Sequence, residues 1–192
     1  MPSHVRGSGV SPAFSRSLRT ACVDEAYDIW PGGAYVLAAV VYPGQDAALP
    51  DRVRELWPGG QDHPPFCRED PKRRLFLAEA SARLGLRMIA AVETVGAAKA
   101  TAEQLRECCV RRLSTALADV DTVLVEPRGG RRDWLVSGLG RQAPLRTVSF
   151  ARASDVPVLR VVDLLAGAVY HDVVRGNPVY VTALGTIQVL DK

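Results

Sequence analysis

No apolar run in this chain approaches the roughly 20 residues needed to span a bilayer, so no membrane-spanning helix is expected. Met1 to Thr20 is polar, with Ser, Gly and Arg and no apolar stretch, and does not read as a secretory signal. Residues 1–19 are instead expected to form a flexible leader. Cysteine is scarce: Cys22, Cys67, Cys108 and Cys109 show no metal-ligand spacing, and neighbours 108 and 109 point apart on an expected helix. A disulfide framework is therefore not expected, and reduced thiols fit a cytoplasmic location. No large charge excess exists either. A net charge of +3 and a pI near 8.8 permit a polyanionic partner without demanding one. No Ser-His-Asp order stands out, and no cysteine has an adjacent base, which argues against nucleophilic catalysis. Gly129-Gly130 lacks the downstream Lys-Ser/Thr of a phosphate-binding loop.

What remains is an ordinary globular composition. With 192 residues, 47% of them hydrophobic and 23% charged, the chain can bury a core as one domain over residues 20–192. Thr20 to Asp24 and Ala34 to Tyr42 read as an initial antiparallel hairpin with a long connection through Trp30-Pro31-Gly32-Gly33. Asp51 to Trp57 reads as one or two helical turns capped by Asp51. Asp70-Pro71 marks a helix start, and Gly85 its end. Leu86 to Val92 is a strand. Thr101 and Gln104 form a capping box for a helix running to Ala118. Strands at Asp121 to Glu126 and Arg146 to Phe150 precede a final helix over Pro157 to Val174, stopped by Gly176-Asn177-Pro178. The apolar stretch Val179 to Leu190 reads as an extra strand or as a partner contact, for example in a homodimer. Helices alternating with strands in the second half imply right-handed crossovers and a partly parallel sheet, mixed by the initial hairpin.

Three acidic residues occupy costly positions. Asp24, followed by Glu25, ends one apolar strand, and Glu126 ends another. Asp163 lies in the most apolar helix, VLRVVDLLAGAV, where a carboxylate needs a partner. A divalent cation would supply one, because Mg²⁺ or Mn²⁺ accepts carboxylate and phosphate oxygens. Two such ions can activate water and stabilise a leaving oxygen in phosphodiester cleavage. The alternatives are that Asp163 pairs with an arginine such as Arg160, and that Asp24 and Glu126 cap loops. Glu93, ending the strand after the first long helix, is a reserve ligand.

The segments VDEAYD (23–28), YVLAAVVY (35–42), VEPRGGRRD (125–133) and LRVVDLLAGAV (159–169) resemble the family called domain of unknown function 3800. The resemblance spans roughly residues 20–176. It implies an α/β, ribonuclease H-like mixed sheet with helices packed on it, and metal-dependent cleavage of nucleic acid. It maps the family's acidic positions onto Asp24, Glu25, Glu126 and Asp163, with Arg128 and Asp133 as matching neighbours. Two departures stand out. Ala26 replaces the serine of the family's Asp-Glu-Ser, and PPFCRED (64–70) replaces a histidine-containing stretch, leaving His63 displaced.

Arg128, Arg131 and Arg132, with Arg141 and Arg146, cluster after the Glu126 strand and are candidates for phosphate contact, or form an ordinary solvated loop. Lys72, Arg73 and Arg74 open a helix, where the dipole disfavours cations, which hints at an acidic neighbour. Trp30, Trp57 and Trp134 are read mainly as packing residues. His171-Asp172 is read as a helix-end pair. Three functions follow: a metal-dependent nuclease or related phosphodiester-processing enzyme; a catalytically inactive binding or scaffold protein of the same fold; or an enzyme acting on a small phosphorylated substrate, which a narrow closed pocket would favour.

Overall fold

The computed structural model of the protein describes residues 17–58, 66–96, 101–126, 139 and 147–191. The leader expected over 1–19 falls mostly outside them, and the first strand begins at Arg19. β1 (Arg19–Tyr27) and β2 (Ala34–Pro43) form the expected hairpin, in one-to-one antiparallel register from Arg19 opposite Pro43 to Tyr27 opposite Tyr35. β3 (Arg87–Thr94) adds antiparallel to β2. β4 (Thr122–Val125) runs parallel to β1, and β5 (Thr147–Phe150) parallel to β4. The sheet is mixed and six-stranded, in the order β5-β4-β1-β2-β3-β6. β2 is buried at eight consecutive positions because it lies mid-sheet with helices on both faces.

Local chemistry sets the helix starts. α2 (Pro71–Ala82) is capped by Asp70, whose Oδ1 accepts from the Lys72 and Arg73 amides at 2.9 and 3.4 Å. α3 (Ala102–Ala116) carries the expected capping box, with both Thr101–Gln104 bonds formed. α1 (Leu49–Leu56) differs from expectation: it starts before Asp51, with Pro50 in its first turn, where a missing N–H costs nothing. Asp46 Oδ1 accepts from the Ala48 and Leu49 amides there, at 3.2 and 3.1 Å. α4 (Val158–Arg175) ends at Gly176, whose φ of 60° is left-handed and favours glycine.

The tail is used within the chain. It forms α5 (Val179–Leu184), which buries Tyr180 and Leu184, and β6 (Ile187–Leu190), which pairs parallel to β3. Tyr180 and Leu184 of the stretch that suggested a homodimer contact are thus buried within the fold, while Val179 and Val189 stay exposed. Two cores flank the sheet. One face packs α1, α2, α4 and α5 over Cys22, Ala38 and Val40. The other packs α3 over Ala21, Val23, Leu37 and Ala39. This period-two alternation decides which candidate residues can meet. Among the described residues, no helix is long and apolar enough to cross a membrane.

Candidate functional site

Alternation along β1 sends Ala21 and Val23 toward α3 and Cys22 toward α4. Asp24 continues the α4 phase and is 1% exposed. β4 behaves alike, with Val123 and Val125 on the α3 side and Leu124 on the α4 side, so Glu126 follows on the α4 face. The last paired residues of these parallel strands are Val23 and Val125. Asp24 is the next residue along β1, and Glu126 is the first residue after β4. α4 packs across β1 and β2 on this same face and carries Asp163. The register therefore gathers the three acidic positions on one side of the sheet.

The side chain of Asp163 has a further role. Its Oδ2 accepts from the Phe66 amide at 2.9 Å, tying α4 to the short 3-10 turn Phe66–Arg68. Asp163, Gly167, Tyr170 and His171 follow helical spacing and line one wall of a cleft of about 420 Å³. The end of β1 from Glu25 to Asp28, with Phe66, Cys67, Arg74 and Arg175, completes it. Gly167 is small because the turn sits on it: a β-carbon there would lie 2.7 Å from Phe66 Cβ, and closer still to its Cγ and Cδ1. Phe66 stacks edge-on with His171 and Tyr180 at centroid distances of 6.3 and 5.3 Å. Burial, then the charges of Arg175 and Arg74, hold the His171 imidazole below its ordinary pKa. Burial, then the Asp28 carboxylate, pushes the Tyr170 phenol up.

Glu25 points to the opposite layer. Its carboxylate accepts a hydrogen bond from the Tyr35 hydroxyl and faces Arg106 of α3 at 3.7 Å, while Arg106 Nε donates to the Tyr35 oxygen at 3.2 Å. Burial, with the Glu25 carboxylate beside it, pushes the Tyr35 phenol far above its usual value. The reserve ligand Glu93 also faces α3, paired with Arg112. Neither side chain lies on the face of Asp24. Arg128, Arg131, Arg132, Asp133, Arg141, Arg146, Trp134 and His63 lie outside the described residues. Trp57 packs in the core, whereas Trp30 is 73% exposed.

Sequence reasoning set His171 aside as a helix-end residue, and it missed the cleft. The signal was present, since His171 lies eight residues after Asp163, two helical turns along one face. Arg74 answers the cations at the start of α2: it shares the cleft with Asp163 and rests over the Phe66 ring at 4.8 Å. For a divalent cation, the chemistry of the donors fits, because Asp24, Glu126 and Asp163 offer hard oxygens on one face. Among the described residues, no group of three His, Cys, Asp or Glu side chains is placed to hold a metal ion.

The backbone arrangement is similar to solved structures. The crystal structure of the ribonuclease H2 from Pyrococcus horikoshii OT3 matches with a TM-score of 0.56 and 14% identity, over 83% of this chain and 75% of that one. A chain in the structure of the PCNA:RNase HII complex from Archaeoglobus fulgidus matches with a TM-score of 0.55 and 23% identity, over 83% and 76%. No family model matches the sequence. No curated protein matches it either. At these identities the likeness establishes the fold, which is ribonuclease H-like.

Proposed function

We propose that this ribonuclease H-like chain is a divalent-metal-dependent nuclease, or a related phosphodiester-processing enzyme, of the domain of unknown function 3800 family. The observation that supports this most is the β1–β4 register, which ends with Val23 opposite Val125, one residue before Asp24 and Glu126, on a sheet whose α4 side carries Asp163. These three carboxylates would hold Mg²⁺ or Mn²⁺. When bound, such an ion lowers the pKa of a bound water and stabilises charge on the leaving oxygen. The chain's own part is to supply acidic ligands from a rigid sheet edge and to keep one side of the centre dry with the α4 core. Arg128, Arg131 and Arg132 would contact substrate phosphates, for which the planar guanidinium is suited. Glu25 acts as an orienter, holding the end of β1 in place through Tyr35 and Arg106. The substrate class is nucleic acid and the location is the cytoplasm.

A second reading, a non-catalytic binding protein of the same fold, draws on the engagement of Asp163 with the Phe66 amide and of Glu25 with Tyr35 and Arg106. The two are separated by assaying Mg²⁺-dependent cleavage of labelled single- and double-stranded DNA and RNA, wild type against Asp24→Asn. The enzyme reading expects a loss of at least about 100-fold in rate, the scale of removing one charged contact to a transition state. Equal rates in the two proteins eliminate it and leave the binding reading.

A further inference from the structure

The cleft beside Asp163 holds two arginines, Arg74 and Arg175, that the acidic centre does not use, beside the carboxylates of Glu25, Asp28 and Asp163. Its carboxylates are engaged by the protein: Glu25 by Tyr35 and Arg106, Asp163 by the Phe66 amide, and Asp28 by the Tyr170 hydroxyl and, at 3.1 Å, the Trp30 amide. Arg74 and Arg175, in contrast, form no ion pair among the described residues. Arg74 is pre-positioned. Its guanidinium rests over the Phe66 and Tyr180 rings at 4.8 and 6.0 Å and donates to the Cys67 carbonyl at 2.9 Å. Its Nε is buried without a hydrogen-bond partner among the described residues, and the same holds for His171 Nδ1. The His171 ring is fixed by Tyr180, edge-on at 5.5 Å. Both arginines act electrostatically on this imidazole.

Two guanidiniums without ion-pair partners among the described residues, lining with a histidine one cleft of about 420 Å³, describe a site for a tetrahedral oxyanion. We propose that Arg74, His171 and Arg175 form a phosphate subsite that takes a non-scissile phosphate of the nucleic-acid strand processed at Asp24, Glu126 and Asp163. The strand assignment rests on the proposed phosphodiester chemistry; the binding of phosphate does not. Helical spacing supports the geometry, because Asp163, His171 and Arg175 climb one side of α4, so a chain laid along that helix passes from the acidic centre to the cationic cleft.

The test titrates the full chain, in EDTA, with inorganic phosphate and with a thymidine tetranucleotide, reading heat and the His171 ring resonances. The wild type is expected to bind both, the tetranucleotide more tightly, with His171 shifting. Arg175→Gln, at an exposed site in the last turn of α4, is expected to weaken both about tenfold through loss of one charge-assisted contact. Arg74→Gln is expected to do the same, and Arg175→Gln decides the matter if Arg74→Gln fails to fold. Arg111→Gln on α3, across the sheet, removes the same charge and is expected to change neither affinity. No binding by the wild type, or equal weakening by Arg111→Gln, overturns the subsite. Tighter binding of inorganic phosphate than of the tetranucleotide overturns the strand assignment in favour of a small phosphorylated ligand. Arg175-dependent binding without Mg²⁺-dependent cleavage supports the subsite and overturns the enzyme reading.

Discussion

Replacing Gly167 with alanine probes the contact that shapes the cleft. Gly167 lies mid-way along α4, one turn past Asp163, so alanine should by itself favour the helix by about 1 kcal/mol. The new methyl would, however, meet the root of the Phe66 side chain, with Phe66 Cβ only 2.7 Å away. That atom cannot swing aside as a side-chain tip can, so the turn Phe66–Arg68 must move. Overpacking of this kind costs about 1–3 kcal/mol. Gly167→Ala is therefore expected to destabilise the protein by about 0–2 kcal/mol net, taking both values together. Phe66→Gly, which removes the Cβ as well as the ring, should alone cost at least about 3–5 kcal/mol at a residue 6% exposed. In that background the clash is gone, and adding Gly167→Ala should stabilise by about 1 kcal/mol. The coupling of about 1–3 kcal/mol is read from a double-mutant cycle in urea, monitored by circular dichroism. Equal stabilisation by Gly167→Ala in both backgrounds would refute the argument that this glycine is required by close approach.

Tyr35→Phe removes the hydroxyl shared by Glu25 and Arg106 inside the α3 layer. It is expected to cost about 1–3 kcal/mol by urea unfolding, and a change under about 0.5 kcal/mol would show that the cluster does not hold the end of β1. Asp119 gives a pH signature. Burial alone would raise its carboxyl, but the hydrogen bonds and charge of Arg87, at 3.1 Å, and the charge of Arg19 hold it below the ordinary value of 3.8. A carboxyl lowered on folding contributes stability above that value and loses it as pH falls toward the lowered one. Asp119→Asn should thus be less stable than wild type above about pH 4, with the two unfolding midpoints converging in more acid solution. Midpoints that stay parallel down to pH 2 would contradict the pairing.

Much of the architecture was written locally. Asp70-Pro71, the Thr101–Gln104 box and Gly176 each act within one turn of chain, and they fixed three helix ends where the structure has them. Asp24 was expected to end its strand, but β1 runs on to Tyr27, because the hairpin with β2 continues pairing to Tyr35. What escaped depends on long-range placement. Whether Val179 to Leu190 would pair with β3 or with another molecule turns on which sheet edge lies open. α1 starts at Leu49 without a side-chain cap, ahead of the expected Asp51, because Pro50 sits in the first turn, where its missing N–H is no loss. Glu25 and Glu93 could not be assigned to a layer until the core on each face was known, since strand phase alone does not say which helix covers which face. His171 read as a helix-end residue because it lies in the last turns before the Gly176-Asn177-Pro178 stop. Its partners Phe66, Arg74 and Tyr180 come from three other elements.

The central claim is that Asp24, Glu126 and Asp163 grip one divalent cation. Anomalous diffraction from crystals soaked in Mn²⁺ measures this directly. The expected result is a peak with oxygens of all three carboxylates at about 2.0–2.6 Å, and Asp163 turned from the Phe66 amide toward it. No peak there, or an ion held elsewhere with Asp163 still bonded to Phe66, would contradict it.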